Sequence, residues 1–220
     1  MITEKAVLTF LFADLAGFTA LTETHGDDDA TDVAARFYDL ARASLVGEAR
    51  LVKTIGDAVM IVADQAYDAV STALRLVAAV RAEPGFPALR AGLHSGPAVE
   101  RLGDYFGATV NLAARITAHA RSDQILCTEV VVNAIRDLEI ILIHSAGIAN
   151  FKNVAQPVAV FEIEDTERHK LYHEIDPVCR MGLDPETAPA QLPFRDRLYY
   201  FCSFACAQKF AQAPENYVKS

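Results

Sequence analysis

Strand-like and helix-like segments alternate along roughly the first 165 residues, and this alternation limits the fold more than any other feature of the sequence. "AVLTFLFAD" reads as a strand that runs into a lone aspartate, Asp14, and then into a sharp turn, Leu-Ala-Gly-Phe-Thr. "DDDATDVAARFYDLARASLV" carries acids at its front and apolar residues at helical spacing, so it reads as a helix with a dipole-favourable start. "LVKTIGDAVMIVA" predicts two strands joined at Ile55-Gly56-Asp57. "AYDAVSTALRLVAAVRA" is a second amphipathic helix, stopped by "EPGFP". "ALRAGLHSG" is a strand, "VERLGDYFG" a strand end and loop, and "ATVNLAARITAHAR" a helix. "QILCTE" and "VAVFEIE" are further strands around a short helix, "EVVVNAIRD". The interleaving predicts an α/β or α+β sheet with helices packed on it.

A chain of 220 residues suits one medium domain plus a small one. The expected division is residues 1–165, a charged and weakly periodic linker at 166–175, and a module at 176–220 where proline, glycine, paired tyrosines and three cysteines gather. The balance of 20 basic and 29 acidic residues, −9 net, argues against broad nucleic-acid binding, which needs a basic face. An anionic small molecule is still open, because a few placed cations can hold one. No stretch approaches the ~20 apolar residues of a membrane span. "IILIHSAGIANF" is too short and contains a histidine and an asparagine, and "MITEKAVLTF" is unlike a leader. The expected location is cytoplasmic, with no membrane partner. In a reduced compartment, three cysteines in a short tail suggest metal rather than disulfides.

Asp57, in the predicted hairpin turn, is the natural second carboxylate for Asp14. A strand tip and a neighbouring turn can meet at one sheet edge. Two carboxylates sharing hard cations is what Mg²⁺ or Mn²⁺ prefers, and a pair of such ions can drive an in-line displacement at phosphorus. Spacing alone leaves a plainer reading open, with Asp14 as a turn cap and Asp57 as a hairpin residue. Asn111 and Arg115 stand four apart on a predicted helix and share a face. Together they can orient a ribose and hold developing phosphate charge, or they can simply be a solvated face.

Taken together, "FADLAGFT", "VKTIGDAVM" and "GDYFGATVNLAARI" resemble, in order, the motifs of the class III nucleotide cyclases, the adenylate and guanylate cyclase catalytic domain family. The resemblance covers about residues 5–165. It implies an α+β fold, a ferredoxin-like βαββαβ sheet with helices packed on it. It implies that Asp14 and Asp57 hold two Mg²⁺ or Mn²⁺ ions per site, with help from the Leu15 carbonyl. Asn111 orients the ribose, and Arg115 stabilises the α-phosphate charge as pyrophosphate leaves. Phe18 and Thr19 join the substrate-binding set. Lys53 and Asp104 occupy the base-selecting positions. An ammonium and a carboxylate match the N1 acceptor and N6 donor of adenine and mismatch guanine, so ATP is the expected substrate. Lys152 resembles the lysine that grips the outer phosphates, but the glycine usual after it is Asn153 here. The family's site lies between two domains, which implies a homodimer with composite active sites. The implied function is adenylate cyclase; the alternative is a catalytically weak homologue that acts as a nucleotide- or metal-binding signalling module.

The tail, "DPVCRMGLDP…LYYFCSFACAQKFAQAPENYV", resembles the YHS domain, a small TRASH-like module of metal-handling proteins. Cys179, Cys202 and Cys206 are its candidate ligands for Zn²⁺ or Cu⁺, with Cys202 expected as a thiolate near a helix start. Arg180 stands where a glycine is usual and is expected to crowd the first cysteine. His169 and His173 are the histidines nearest in sequence for a fourth ligand. Cys127 reads as a core strand residue. The tail would add a small α+β module and a regulatory input.

Overall fold

The computed structural model describes residues 6–83, 85–136, 141–165 and 174–218. The chain runs β1 (Val7–Leu15), α1 (Phe18–His25), α2 (Asp27–Ala43), β2 (Arg50–Ile55), β3 (Ala58–Ala63), α3 (Ala66–Ala82) and β4 (Leu89–Pro97). A small hairpin follows, β5 (Val99–Arg101) and β6 (Asp104–Phe106), then α4 (Ala108–His119), β7 (Ile125–Thr128), α5 (Glu129–Ala134), β8 (Ile141–Ala149) and β9 (Val158–Asp165). Seven of these strands form one sheet in the order β2-β3-β1-β4-β7-β9-β8. All its pairings are antiparallel except β4 with β7. The first four strands with their crossover helices are the ferredoxin-like βαββαβ unit.

Both faces of this sheet are covered, which explains why β1 is apolar almost throughout. Leu11, Ala13 and Leu15 pack on one face with Phe37 of α2 and Leu76 of α3. Phe10 and Phe12 pack on the other with Tyr105, Val110 and Ala113. Residues alternate between faces because successive Cβ atoms of a strand point to opposite sides. Helix α3 buries Ala66, Ala69, Val70, Ala73, Leu76, Val77 and Val80, the 3-4 spacing that its sequence displays. Helix α4 lies tight on β4: a Cβ at Gly92 would come 2.3 Å from the Thr117 amide nitrogen.

Three places differ from the sequence reading. Residues after the Asp14 turn form a helix, α1, whose only buried side chain is Leu21 and which has no side-chain cap. Without an apolar stripe it leaves no periodic signal. "IILIHSAGIA" contains an edge strand, β8, paired only to β9, with Ile148 75% exposed. It buries too little of either face to show a period of two. The loop at "VERLGDYFG" is more regular than expected, because β5 and β6 pair across Leu102-Gly103. Among the described residues no helix is long and apolar enough to cross a membrane.

The tail holds β10 (Glu174–Ile175), β11 (Gly182–Leu183), β12 (Ala190–Phe194), β13 (Arg197–Phe201) and α6 (Phe204–Gln212). Its small core joins Val178, Cys179, Phe201, Cys206, Ala207 and Phe210. The Phe210 ring meets Phe194, Tyr199, Phe201 and Tyr217. The tail is docked on the larger unit through its backbone. Gly182 donates to Phe86 at 2.7 Å, Ala88 donates to Arg180 at 3.1 Å, and Pro87 bridges Met181.

Candidate active site

Antiparallel pairing brings the two aspartates together. Asp14 stands opposite Ala58 on β3, and Asp57 is the last residue of the β2–β3 turn. The Leu15 amide donates to the Asp57 carbonyl at 3.2 Å, so residues 14, 15 and 57 meet at one junction. Gly56 takes φ +59 in that turn, and the Tyr38 hydroxyl of α2 donates to its carbonyl. Asp57 is held above the usual carboxylate range, first by burial and then by the negative charge of Asp14. Arg90 of β4 lies in register with Asp14, and its Nε donates to Asp14 Oδ2 at 2.7 Å. One guanidinium against two partly buried carboxylates leaves the junction with excess negative charge, and two carboxylates beside a backbone carbonyl are a donor set that fits hard divalent cations.

Lys53 and Asp104 also meet, although they lie 51 residues apart: Nζ donates to Oδ2 at 2.6 Å. This bond, with a second from the Tyr105 amide, holds the Asp104 carboxyl below its ordinary range. On α4 the buried residues are Thr109, Val110, Ala113, Ile116 and Thr117. At about 100° per residue, Asn111 and Arg115 fall together on the opposite side of the helix, away from their own sheet. Lys152 is exposed in the β8–β9 connection. Asn153 after it adopts φ +60, the left-handed conformation that a glycine takes without strain and that asparagine tolerates. Phe18 opens α1 and packs on the core, while Thr19 beside it is exposed.

In the tail, Cys179, Cys202 and Cys206 converge. The Cys179 and Cys202 sulfurs are 3.3 Å apart, and those of Cys202 and Cys206 3.7 Å apart. Cys202, the thiolate the sequence points to, sits just before α6 with the Cys206 sulfur against it. In the first turn of α6, Cys206 is held well below the ordinary thiol range by its contacts with the Cys179 and Cys202 sulfurs. Burial alone pushes Cys127 up to about 12, as suits a core strand residue. Asp176 is fully buried and accepts from the amides of Val178 and Cys202, each at 2.8 Å, so one carboxylate fixes the backbone at both ends of the cluster. Arg180 does not crowd the cysteines as expected. It takes φ +66, lies over Gly17, and donates to Ser122 at 2.9 Å. His169 and His173 lie outside the described residues.

Residues 2–155 match the family described as the Adenylate and Guanylate cyclase catalytic domain. The chain belongs to this family. Residues 175–220 match the YHS domain. A pH-sensitive adenylate cyclase of Mycobacterium tuberculosis is 42% identical to this chain over 130 residues, 59% of this chain and 33% of the relative. An adenylate cyclase of Streptomyces griseus is 44% identical over 117 residues, 52% of this chain and 29% of the relative. The chain thus spans about a third of the length of these curated relatives. A copper-transporting P-type ATPase of Rhizobium leguminosarum bv. viciae is 46% identical over 43 residues, 20% of this chain and 5% of that protein. The fold matches that of an adenylate cyclase from Trypanosoma brucei, with a TM-score of 0.66 at 20% identity, covering 81% of this chain and 94% of that one. It also matches the adenylyl cyclase CyaB from P. aeruginosa, with a TM-score of 0.61 at 23% identity, covering 78% and 100%.

Four side chains of the candidate site and the YHS module escaped the sequence reading. Arg90 is a lone charge in an apolar strand, but only the β1–β4 register sets it against Asp14. Tyr38 gave no signal beyond its place on an amphipathic helix. Asp176 stands in "DPVC", where a buried carboxylate looks like one more linker acid. The fourth is His25, at the end of α1 and 177 residues before Cys202, whose Nε2 lies 3.7 Å from the Cys202 sulfur.

Proposed function

We propose that the chain is an adenylate cyclase that forms 3′,5′-cyclic AMP and pyrophosphate from ATP at composite sites of a homodimer. The observation that carries this reading is the orientation of α4. Asn111 and Arg115 face away from the sheet whose β1 tip holds Asp14 and Asp57, so one chain presents two complementary half-sites. A two-fold dimer brings each half-site to its complement. An apolar contact for such a partner is present on the β5–β6 hairpin, where Leu102 is 99% exposed and Phe106 52% exposed, next to Asp104. The relatives named adenylate cyclase support the choice of reaction.

Asp14, Asp57 and the Leu15 carbonyl would hold two Mg²⁺ or Mn²⁺ ions. When bound, such ions make the ribose hydroxyl more acidic and neutralise charge on the departing pyrophosphate. The chain's own groups do the rest. Lys53 donates to adenine N1 and Asp104 accepts from the N6 amine; their mutual ion pair keeps both pointed at one place before the base arrives. Asn111 orients the ribose so that its 3′-oxygen faces the α-phosphorus. Arg115 holds the negative charge that grows there as the 3′-O–P bond forms and the bond to pyrophosphate breaks. Lys152 grips the outer phosphates, and Phe18 and Thr19 complete the substrate-binding set. The division into a cyclase domain at 1–165 and a YHS module from 176 follows the same reading.

The test is product formation from ATP and GTP, with Mg²⁺ or Mn²⁺, by the wild type and by Lys53→Glu. The expected result is cyclic AMP from wild type, little cyclic GMP, and a loss of about 5- to 160-fold with ATP in the variant, since one mispaired polar group enclosed against the base costs about 1–3 kcal/mol. Tight binding of an unreactive ATP analogue with no product from either nucleotide would instead mark a signalling module without turnover.

A further inference from the structure

We propose that His25 completes a Cys3His zinc site with Cys179, Cys202 and Cys206, so that the ion joins the YHS module to the cyclase domain rather than sitting within the module alone. The four donor atoms lie within 4.8 Å of one another. A tetrahedral zinc ion with bonds of about 2.3 Å to sulfur and 2.05 Å to nitrogen would set edges of about 3.8 Å between sulfurs and about 3.6 Å between sulfur and nitrogen. The observed edges of 3.3 and 3.7 Å between sulfurs and 3.7 Å from sulfur to His25 Nε2 need only small adjustments to admit it. The sulfurs of Cys179 and Cys202 are too far apart for a covalent bond of about 2.05 Å. Three sulfurs and one imidazole around a closed point suit Zn²⁺ in a structural role, whereas Cu⁺ could be held by the thiolates without the histidine.

The positions around His25 favour a shared site. The module grips α1 at both ends. At its start, Gly17 lies under Arg180, and Ala88 links the two units by accepting from the Ala16 amide and donating to the Arg180 carbonyl. At its end, Lys209 of α6 donates to the Thr24 hydroxyl at 2.9 Å beside His25. Zinc on His25 would therefore fix the helix that follows Asp14 by one turn and carries Phe18 and Thr19. Binding costs no redox partner: the thiols release their protons to solvent and the imidazole binds through neutral Nε2. The effect on turnover rests on the cyclase reading; the site itself does not.

The test uses the full-length chain in reductant, as wild type, His25→Ala and Cys206→Ser. Zinc stoichiometry and competition with a chromophoric chelator give the affinity. Cobalt substitution reports coordination through its ligand-field bands, and hydrogen exchange follows the α1 amides. The expected result is one zinc per wild-type chain and tetrahedral cobalt bands. Zinc should be at least about tenfold weaker in His25→Ala with shifted bands, and should slow exchange in α1 only when His25 is present. Far-ultraviolet circular dichroism equal to that of the wild-type apoprotein certifies that each variant folds. Unchanged affinity and bands in His25→Ala would overturn the proposal, as would a wild type that takes Cu⁺ but not Zn²⁺. Activity that is absent while zinc behaves as described would count against the cyclase reading and leave the site standing.

Discussion

Asp14 shows how one side chain can be read in part from sequence and completed only by register. An acid ending an apolar strand asks for a partner, and the second turn motif named Asp57. That Arg90 holds Asp14 from the other side depends on which strand pairs next to β1, and a sequence does not print strand order. His94, four residues along the same strand, supports a prediction of its own. Its ring is partly buried, Nδ1 lies 2.8 Å from the Thr128 hydroxyl, and burial holds its pKa below the ordinary histidine range. The folded state therefore resists a proton that the unfolded chain accepts. Stability from this group is full above the unfolded pKa and is lost as pH falls through about 6.5 toward the folded value. Urea unfolding at pH 7.5 and pH 5.5 should show a smaller acid loss in His94→Gln than in wild type. An equal loss in both would assign the acid sensitivity to other groups.

At the scale of elements, α2, α3, α4 and strands β1, β3 and β4 were legible because each buries a stripe or face, and burial is what writes periodicity into sequence; β2, an edge strand with no fully buried residue, was legible from the Ile55-Gly56-Asp57 turn that joins it to β3. Helix α1 and strand β8 were not, since one buries a single side chain and the other borders solvent. Exposure removes the signal without removing the element. The same argument explains the missed fourth ligand: His25 ends a helix that the sequence hides, so proximity along the chain pointed to His169 and His173 instead. Packing of α4 supplies a prediction here. Ala at position 92 would place its Cβ 2.3 Å from the Thr117 amide nitrogen and 2.8 Å from its Cα, both backbone atoms that cannot rotate away. Helix α4 must then shift, at a cost of about 1–3 kcal/mol, and Asn111 and Arg115 shift with it. Gly92→Ala should lower the thermal midpoint and reduce kcat more than it raises KM. A variant with wild-type kinetics would show that α4's seat does not set the geometry of the reacting groups.

For the whole molecule, the central claim is that neither chain alone owns an active site. On that claim the outward face of α4 and the tip of β1 serve different sites, and the exposed Leu102 hairpin is the proposed apolar contact for the partner. Asp14→Ala and Arg115→Ala should each be inactive as homodimers and keep the wild-type fold. Mixed under conditions that exchange subunits, half of the dimers combine one of each and hold one site with every group intact. The mixture is then expected to recover about a quarter of the wild-type rate per chain. A mixture as inactive as its parents, while native mass spectrometry shows the mixed dimer formed, would contradict the account.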